Sequence, residues 1–435
     1  MDAAVLAGII MVVSVIIMLA IGVPIAISIG LGSAVSMLVF LSFNGAMYTS
    51  AQKIFSGANS FPLMAIPFFV LAGNIMNNGG IAIRLVNCAK VLAGKMPAPL
   101  AQTNIIANML FGAISGSGAA AAAAIGGTLG PMEKKEGYDE NFAAAVNICT
   151  APTGMLIPPS NTLIVYSTVA GSVSVSALFL AGYIPGILWG AMCMALVGFI
   201  AHRKKYPKAE KVSLKVGIAT IMAAVPALLL IIIVIGGILA GVFTATEGSA
   251  IAVCYSLILS LFYRALTLEK MRKLLITTAE TTVIILFMIS VSMIMSYVMA
   301  YTHIPEIIAG AFLALTSNPY AILLIMNIVL LVIGMAMDPT PAILIFTPIF
   351  LPMCVKFGMD PVQFGIIITM NLCIGTITPP VGTILFTGCK VAGVSIESVF
   401  KWLLPFFATT ILALMLTTYV KPISMWLPSL FGLVK

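Results

Sequence analysis

Four short stretches of this 435-residue chain set oxygen-bearing side chains beside glycine and proline inside otherwise apolar sequence. They are Ser115-Gly116-Ser117-Gly118, Met337-Asp338-Pro339-Thr340-Pro341, the run from Pro152-Thr153-Gly154 to Pro158-Pro159-Ser160-Asn161-Thr162, and Gly375-Thr376-Ile377-Thr378-Pro379-Pro380. Glycine permits a sharp turn and proline removes an amide donor, so each stretch frees backbone groups that a continuous helix would pair. Hydroxyl, carboxylate and carbonyl oxygens gathered there suit a hard cation, which wants several oxygens at once. Two Na⁺ sites are therefore expected. One uses Ser115, Gly116 and Ser117 with Thr153 and carbonyls near Gly154; its counterpart uses Asp338 and Thr340 with Gly375, Thr376 and Thr378. Helix N-termini at the same breaks favour an anionic substrate group, with Ser117, Ser160, Thr162 and Asp338 as candidate contacts. The competing readings are a packed helix of small residues around Gly116 and a pair of proline kinks relieved by neighbouring Ser and Thr.

The thirteen acids sharpen the choice. Ten, Glu133 among them, are expected at helix ends or junctions, which leaves Glu247, Glu280 and Asp338 as candidates for burial. An acid within the membrane is a functional hypothesis by default. Glu247 could instead cap a helix after Thr244-Ala245-Thr246 and Glu280 could be interfacial, so Asp338 is the best of the three. There is no G-x-x-x-x-G-K-[ST] loop to drive an ATP motor. The two histidines, His202 and His303, argue against a His-based metal site or a Ser-His triad, and the seven scattered cysteines read as structural thiols. A membrane-embedded enzyme thus lacks a visible nucleophile and base, and a channel lacks a pore ring.

Elements that could hold such stretches must lie in a bilayer. Of all residues 61% are hydrophobic and 8% charged, against roughly 25% charged in soluble domains. Uncharged runs of near-spanning length recur, beginning with 3–42, which has room for two helices and reads as a retained span and not a cleaved signal. Residues 97–132 are long enough for two short helices but marginal for two full crossings, and read as a hairpin that enters from the cytoplasm and turns at mid-membrane; residues 319–353 read as its periplasmic counterpart. A broken helix follows each, over 139–172 and 361–394.

The chain also repeats itself at an offset of 221 residues. Pro131-Met132 recurs as Pro352-Met353, Gly137-Tyr138-Asp139 as Gly358-Met359-Asp360, and Pro158-Pro159 with Thr162 as Pro379-Pro380 with Thr383. The halves are expected near 1–211 and 212–435. The net charge of +8 sits in short junctions without interleaved aromatics, which points to topology and not to nucleic acid. Placing the basic segments at 84–95, 202–211 and 264–273 in the cytoplasm leaves the N-terminus outside and makes the repeat inverted. The fold class is thus an all-α polytopic membrane protein, an inverted repeat with two re-entrant hairpins and two broken helices, the pattern of a secondary transporter with its site near the midplane.

These features resemble the large membrane subunit of tripartite ATP-independent periplasmic (TRAP) transporters, the DctM-like family. The resemblance spans essentially the whole chain, through Ser60 to Gly73 (SFPLMAIPFFVLAG), Phe111 to Ser117 (FGAISGS), Leu156 to Ser160 (LIPPS), Phe243 to Glu247 (FTATE) and Met337 to Thr340 (MDPT). It implies an elevator fold of the ion-transporter superfamily in a bacterial inner membrane, Na⁺ coupling through two or more sites, arm helices at 81–95 and 303–315, a small four-helix membrane subunit and a periplasmic substrate-binding protein. It carries ion and substrate roles to Ser115, Ser117 and Asp338, more loosely to Thr153, Gly154, Gly375 and Thr376, and makes Glu247 structural. Many relatives carry an acid shortly after the first Ser-Gly-Ser, where this chain has Gly118 and Ala119 to Ala124. That departure inclines the substrate to the sialic-acid type, with a C4-dicarboxylate, or a standalone ion-coupled carrier or antiporter of the same architecture, as alternatives.

Overall fold

A computed structural model describes residues 3–171, 173–204, 206, 213–316 and 318–434. Asp2, Glu210 and the boundary between the expected halves at 211 and 212 lie outside the described residues. Every regular element described is a helix, and nine are long and apolar enough to cross a membrane; the shorter apolar helices Ile25–Met37, Pro361–Gly375 and Thr383–Ala392 accompany them.

The chain opens with α1 (Ala3–Ala20), α2 (Ile25–Met37), α3 (Phe43–Ala58), α4 (Ala65–Asn78) and the short α5 (Ile81–Ala93). Next come a tight pair, α6 (Pro99–Ser115) and α7 (Gly118–Lys135), an interrupted pair, α8 (Glu140–Thr150) and α9 (Asn161–Val169), and the long α10 (Val175–Lys204). The order then recurs. After α11 (Leu214–Leu239), α12 (Ala245–Phe262), α13 (Leu268–Thr302) and the short α14 (Ile304–Leu315) come α15 (Pro319–Ala336), α16 (Pro339–Lys356), α17 (Pro361–Gly375), α18 (Thr383–Ala392), α19 (Ile396–Tyr419) and finally α20 (Pro422–Leu430).

Repeated residues do the same local work in both copies. Gly137 and Gly358 take left-handed φ of 80° and 78°. Each closes its helix with a paired turn: the Tyr138 amide donates to the Glu133 carbonyl at 3.0 Å, and the Met359 amide to the Cys354 carbonyl at 3.1 Å. Two residues later Asp139 and Asp360 start the next helix, their carboxylates accepting from the Asn141 and Val362 amides at 2.9 and 2.7 Å. Both Pro158-Pro159 and Pro379-Pro380 bonds are cis.

The helices form two groups. In one, α4 packs along α12, α13 crosses α2, α3 and α4, and α1 lies on α2. A small apolar cluster of Met11, Ile29, Met37, Ala46, Met295 and Val298 joins α1, α2, α3 and α13. In the other group the two copies interlock: α7 of the first copy packs on α18 of the second, and α16 of the second on α9 of the first. The pairs differ in shape, since α6 and α7 run against each other whereas α15 packs along α17 with little contact to α16. α10 and α19 brace this group, burying Trp189 and Phe406. Between the groups, α5 bridges α6 and α11, and α14 lies on α16. Lipid tails are as apolar as a leucine side chain, so close approach of small residues, more than apolar burial, holds such helices together.

Candidate functional site: a cavity between two hairpin tips

A cavity of about 730 Å³ lies where the two groups face each other. One wall is the turn between α6 and α7 (Ser115 to Ala120), the start of α9 (Asn161, Thr162), the turn between α15 and α16 (Ala336 to Pro341), and Thr376, Thr383 and Ile384. The opposite wall is Pro24 to Ala26, Val70, Gly73, Asn74 and Asn77 of α4, and Thr281 to Met288 of α13.

The first tip turns because Gly116 adopts φ 61°, with its amide donating to the Gly112 carbonyl at 2.8 Å. The Asn161 side chain fills the space beside it: a Cβ on Gly116 would stand 3.0 Å from the Asn161 amide nitrogen. Ser117 then caps α7, its Oγ accepting from the Ala120 amide at 3.3 Å, while the Ser115 Oγ accepts from the Ser117 amide at 3.4 Å. At the second tip Met337 and Asp338 are extended and Pro339 opens α16. The Asp338 side chain makes no cap, and its Oδ1 accepts from the Thr383 hydroxyl at 2.8 Å. The second break is tied to this tip by the Gly382 amide, which donates to the Met335 carbonyl at 3.2 Å.

Four helices, α7, α9, α16 and α18, begin at the cavity wall and contribute residues of their first turns to it. Their dipoles place partial positive charge at one wall, while several first-turn amides are already engaged: Ile384 and Leu385 donate to the Thr376 carbonyl, Ala120 to the Ser117 hydroxyl and Leu163 to the Ser160 hydroxyl, and Pro339 and Pro341 have none. Asp338 is the one charged side chain among the described lining residues. The site therefore offers an anion dipoles, amides and hydroxyls, and offers a cation one carboxylate with hydroxyls around it.

Of the residues expected at the site from sequence, Ser115, Gly116, Ser117, Thr162, Asp338, Thr340 and Thr376 line this cavity. The others stand behind its wall. Thr153 is fully buried with its hydroxyl donating to the Thr150 carbonyl at 2.6 Å, and Thr378 donates to the Ile374 carbonyl at 2.8 Å. Ser160 caps α9 and donates to the Met155 carbonyl. Gly154 and Gly375 serve close packing: a Cβ on either would fall within 2.4 Å of the Gly112 or Gly334 backbone. Sequence reasoning missed Asn161, Thr383, Asn74, Asn77 and Thr281. The first two sit inside the repeated strings, where Thr383 already answered Thr162; the scaffold residues carried no local signal.

The acids require a correction. Glu247, Glu280 and Asp338 are all exposed, whereas Glu133, expected at a junction, is 1% exposed. Glu247 closes a capping box: its Oε2 accepts from the Thr244 amide at 2.7 Å and its own amide donates to the Thr244 hydroxyl at 3.3 Å. Glu133 lies at the end of α7, and the 3.6-residue period turns it inward while Lys134, Lys135 and Glu136 face out.

Comparison with known proteins gives a consistent picture. Residues 12–423 match the model of the tripartite ATP-independent periplasmic transporter, DctM component. The chain is 50% identical over 416 residues to the uncharacterized protein YgiK of Salmonella typhimurium, covering 96% of each chain. It is 38% identical to the C4-dicarboxylate TRAP transporter large permease protein DctM of Pseudomonas aeruginosa, covering 93% of this chain and 94% of that one. Identity to the sialic acid TRAP transporter large permease protein SiaM of Vibrio cholerae is 34%, covering 92% and 93%. Among solved structures, the YdaH transporter of Alcanivorax borkumensis, described as having an unusual topology, shares the fold at 14% identity with a TM-score of 0.67, covering 88% of this chain and 91% of that one.

Proposed function

Because the chain belongs to the DctM component family of tripartite ATP-independent periplasmic transporters, we propose that it is the translocating subunit of a Na⁺-coupled importer of an organic anion. The observation that carries this reading is the cavity itself, in which both hairpin tips and both helix breaks meet under four helix N-termini. In this reading Na⁺ is a co-substrate. Asp338 and Thr340, with Thr376, bind one ion, and Ser115, Gly116 and Ser117 bind another; Thr153, Gly154, Gly375 and Thr378 shape the breaks from behind. Thr162 and Ser117 contact the organic anion, and Asp338 couples it to the ion, since Na⁺ must offset that carboxylate before an anion can share the space.

The interlocked hairpins and broken helices form the moving unit, α1 to α4 and α11 to α13 form the scaffold, and α5 and α14 serve as arms between them. An elevator stroke of that unit exposes the cavity to either side. The subunit works in a bacterial inner membrane with its N-terminus in the periplasm, together with a four-helix membrane subunit and a periplasmic binding protein that delivers the substrate.

A polyhydroxylated monocarboxylate of the sialic-acid type suits the lining better than a compact dianion. Two carboxylates would ask for basic partners, and the described lining holds amides and hydroxyls from Asn74, Asn77, Asn161, Thr162 and Thr281 instead. Uptake of labelled sialic acid and, separately, succinate into proteoliposomes holding this chain with its small subunit, with and without a Na⁺ gradient and binding protein, tests the reading. Sialic acid uptake that needs both additions supports it. Succinate uptake alone transfers the assignment to a C4-dicarboxylate, and uptake indifferent to binding protein makes the chain a standalone carrier.

A further inference from the structure

Glu133 is the one buried acid among the described residues, and it lies outside the ion sites proposed above. Its Oε1 accepts from the Asn104 side-chain amide at 3.4 Å. A file of buried amides continues from there. The Asn108 side-chain nitrogen shares its two hydrogens among the Asn104 Oδ1 at 2.8 Å, the Thr150 hydroxyl at 3.0 Å and the Asn147 Oδ1 at 3.1 Å, and Asn147 donates to the Ala122 carbonyl at 2.8 Å. Glu133 and Asn147 also line a second cavity of about 230 Å³, whose wall includes Gly126, Pro131, Val391 and the charged residues Lys134 and Glu140. That volume is large enough for several waters.

Among the described residues no ion pair offsets a charge on this carboxyl. Lys134 pairs with Glu140 of α8 at 2.8 Å, and Lys90 of α5 reaches the Met132 sulfur at 3.1 Å. Lys135 points outward, and Lys390, next to Val391 on α18, is exposed. α6 contributes no charged residue. The remaining neighbours are Glu136, a like charge, and the phenol of Tyr138, which stacks on Tyr206 with centroids 4.7 Å apart. Ionising a buried carboxyl against one neutral amide and a nearby carboxylate is unfavourable by both desolvation and repulsion.

We propose that Glu133 is a proton-binding site, with its carboxyl neutral at pH 7 and its carbonyl oxygen accepting from Asn104. As pH rises, the carboxyl O–H bond breaks and the proton passes to water in the 230 Å³ cavity. The stranded carboxylate then disturbs the seat of α7 on α6 and α8, so activity declines on the alkaline side.

Infrared difference spectra of the full chain in liposomes, taken between neutral and alkaline pH, test the proton directly and without reference to transport. Wild type is expected to lose a protonated-carboxyl carbonyl band that Glu133→Gln never shows. A wild-type spectrum without that band at neutral pH, or the same band in Glu133→Gln, overturns the proposal. Asn104→Leu removes a donor that favours the charged form and is expected to move the loss of the band to higher pH; an unchanged titration also overturns it. In proteoliposomes, Glu133→Gln is expected to hold its neutral-pH uptake and flatten the alkaline decline, and a decline like that of wild type counts against the coupling to activity.

Discussion

A Cβ placed on Gly154 would stand 2.0 Å from the Cα of Gly112, so the first broken helix and the first hairpin meet backbone to backbone. The second copy repeats the contact, with a Cβ on Gly375 2.4 Å from the Cα of Gly334. These two contacts set how far each tip stands from its helix break, and therefore how the cavity oxygens are spaced.

Gly154→Ala and Gly375→Ala are expected to be strongly destabilising, because the obstructing atoms are backbone and cannot rotate away. Overpacking of this kind costs about 1–3 kcal/mol or more. Gly130→Ala, with nothing within 4 Å of the added methyl, is the control. Thermal unfolding followed by size-exclusion chromatography should show the first two losing monodisperse protein several degrees earlier than wild type while the third does not.

Asp338→Asn keeps a group able to accept from Thr383 but removes the charge. The apparent affinity for Na⁺ is expected to fall about 10- to 100-fold, as losing a charged contact worth ~1.5–3 kcal/mol implies. Na⁺ titration of uptake checks this, and wild-type Na⁺ dependence in the variant would remove the second ion site. Thr383→Val should produce a smaller change in the same direction.

Ser115→Ala with Ser117→Ala is expected to weaken Na⁺ dependence about tenfold. Ser117 also caps α7, so part of any loss is ~1 kcal/mol of helix stability. Ser160→Ala removes a comparable cap from α9 at a residue that does not line the cavity. Comparing Na⁺ titrations of the two variants separates ion binding from capping: only the tip variant should shift the Na⁺ midpoint.

Glu247→Gln tests the opposite case of an acid with a structural role. Its carboxylate is committed to the Thr244 amide and hydroxyl. A small drop in thermal stability with an unchanged Na⁺ midpoint is expected. A shifted midpoint in this variant would give Glu247 a part in ion coupling.

The membrane setting, the helical class and the family were legible in the sequence because they rest on signals that are local or repeated. Apolar runs cut by Gly-Pro clusters mark hairpins and breaks, and the matching strings around Asp139 and Asp360 mark a duplication, since each does the same capping job wherever the fold places it. The tip residues Ser115, Ser117 and Asp338 could be named for the same reason.

Facing was not legible. Glu133 and Glu136 sit in one charged string, yet helix phase buries the first against Asn104 and exposes the second. Thr153 precedes and Thr376 follows the matched Gly154 and Gly375, and only Thr376 reaches the cavity wall. Asn74 and Thr281 became part of the site through the packing of α4 and α13, which lie far from the tips along the chain. Composition and spacing determine which residues can turn, cap or offer an oxygen, because those properties belong to a few neighbouring residues. Which oxygens share a space, and which acid of a charged string turns inward, depends on how distant helices pack, and only the tertiary structure decides that.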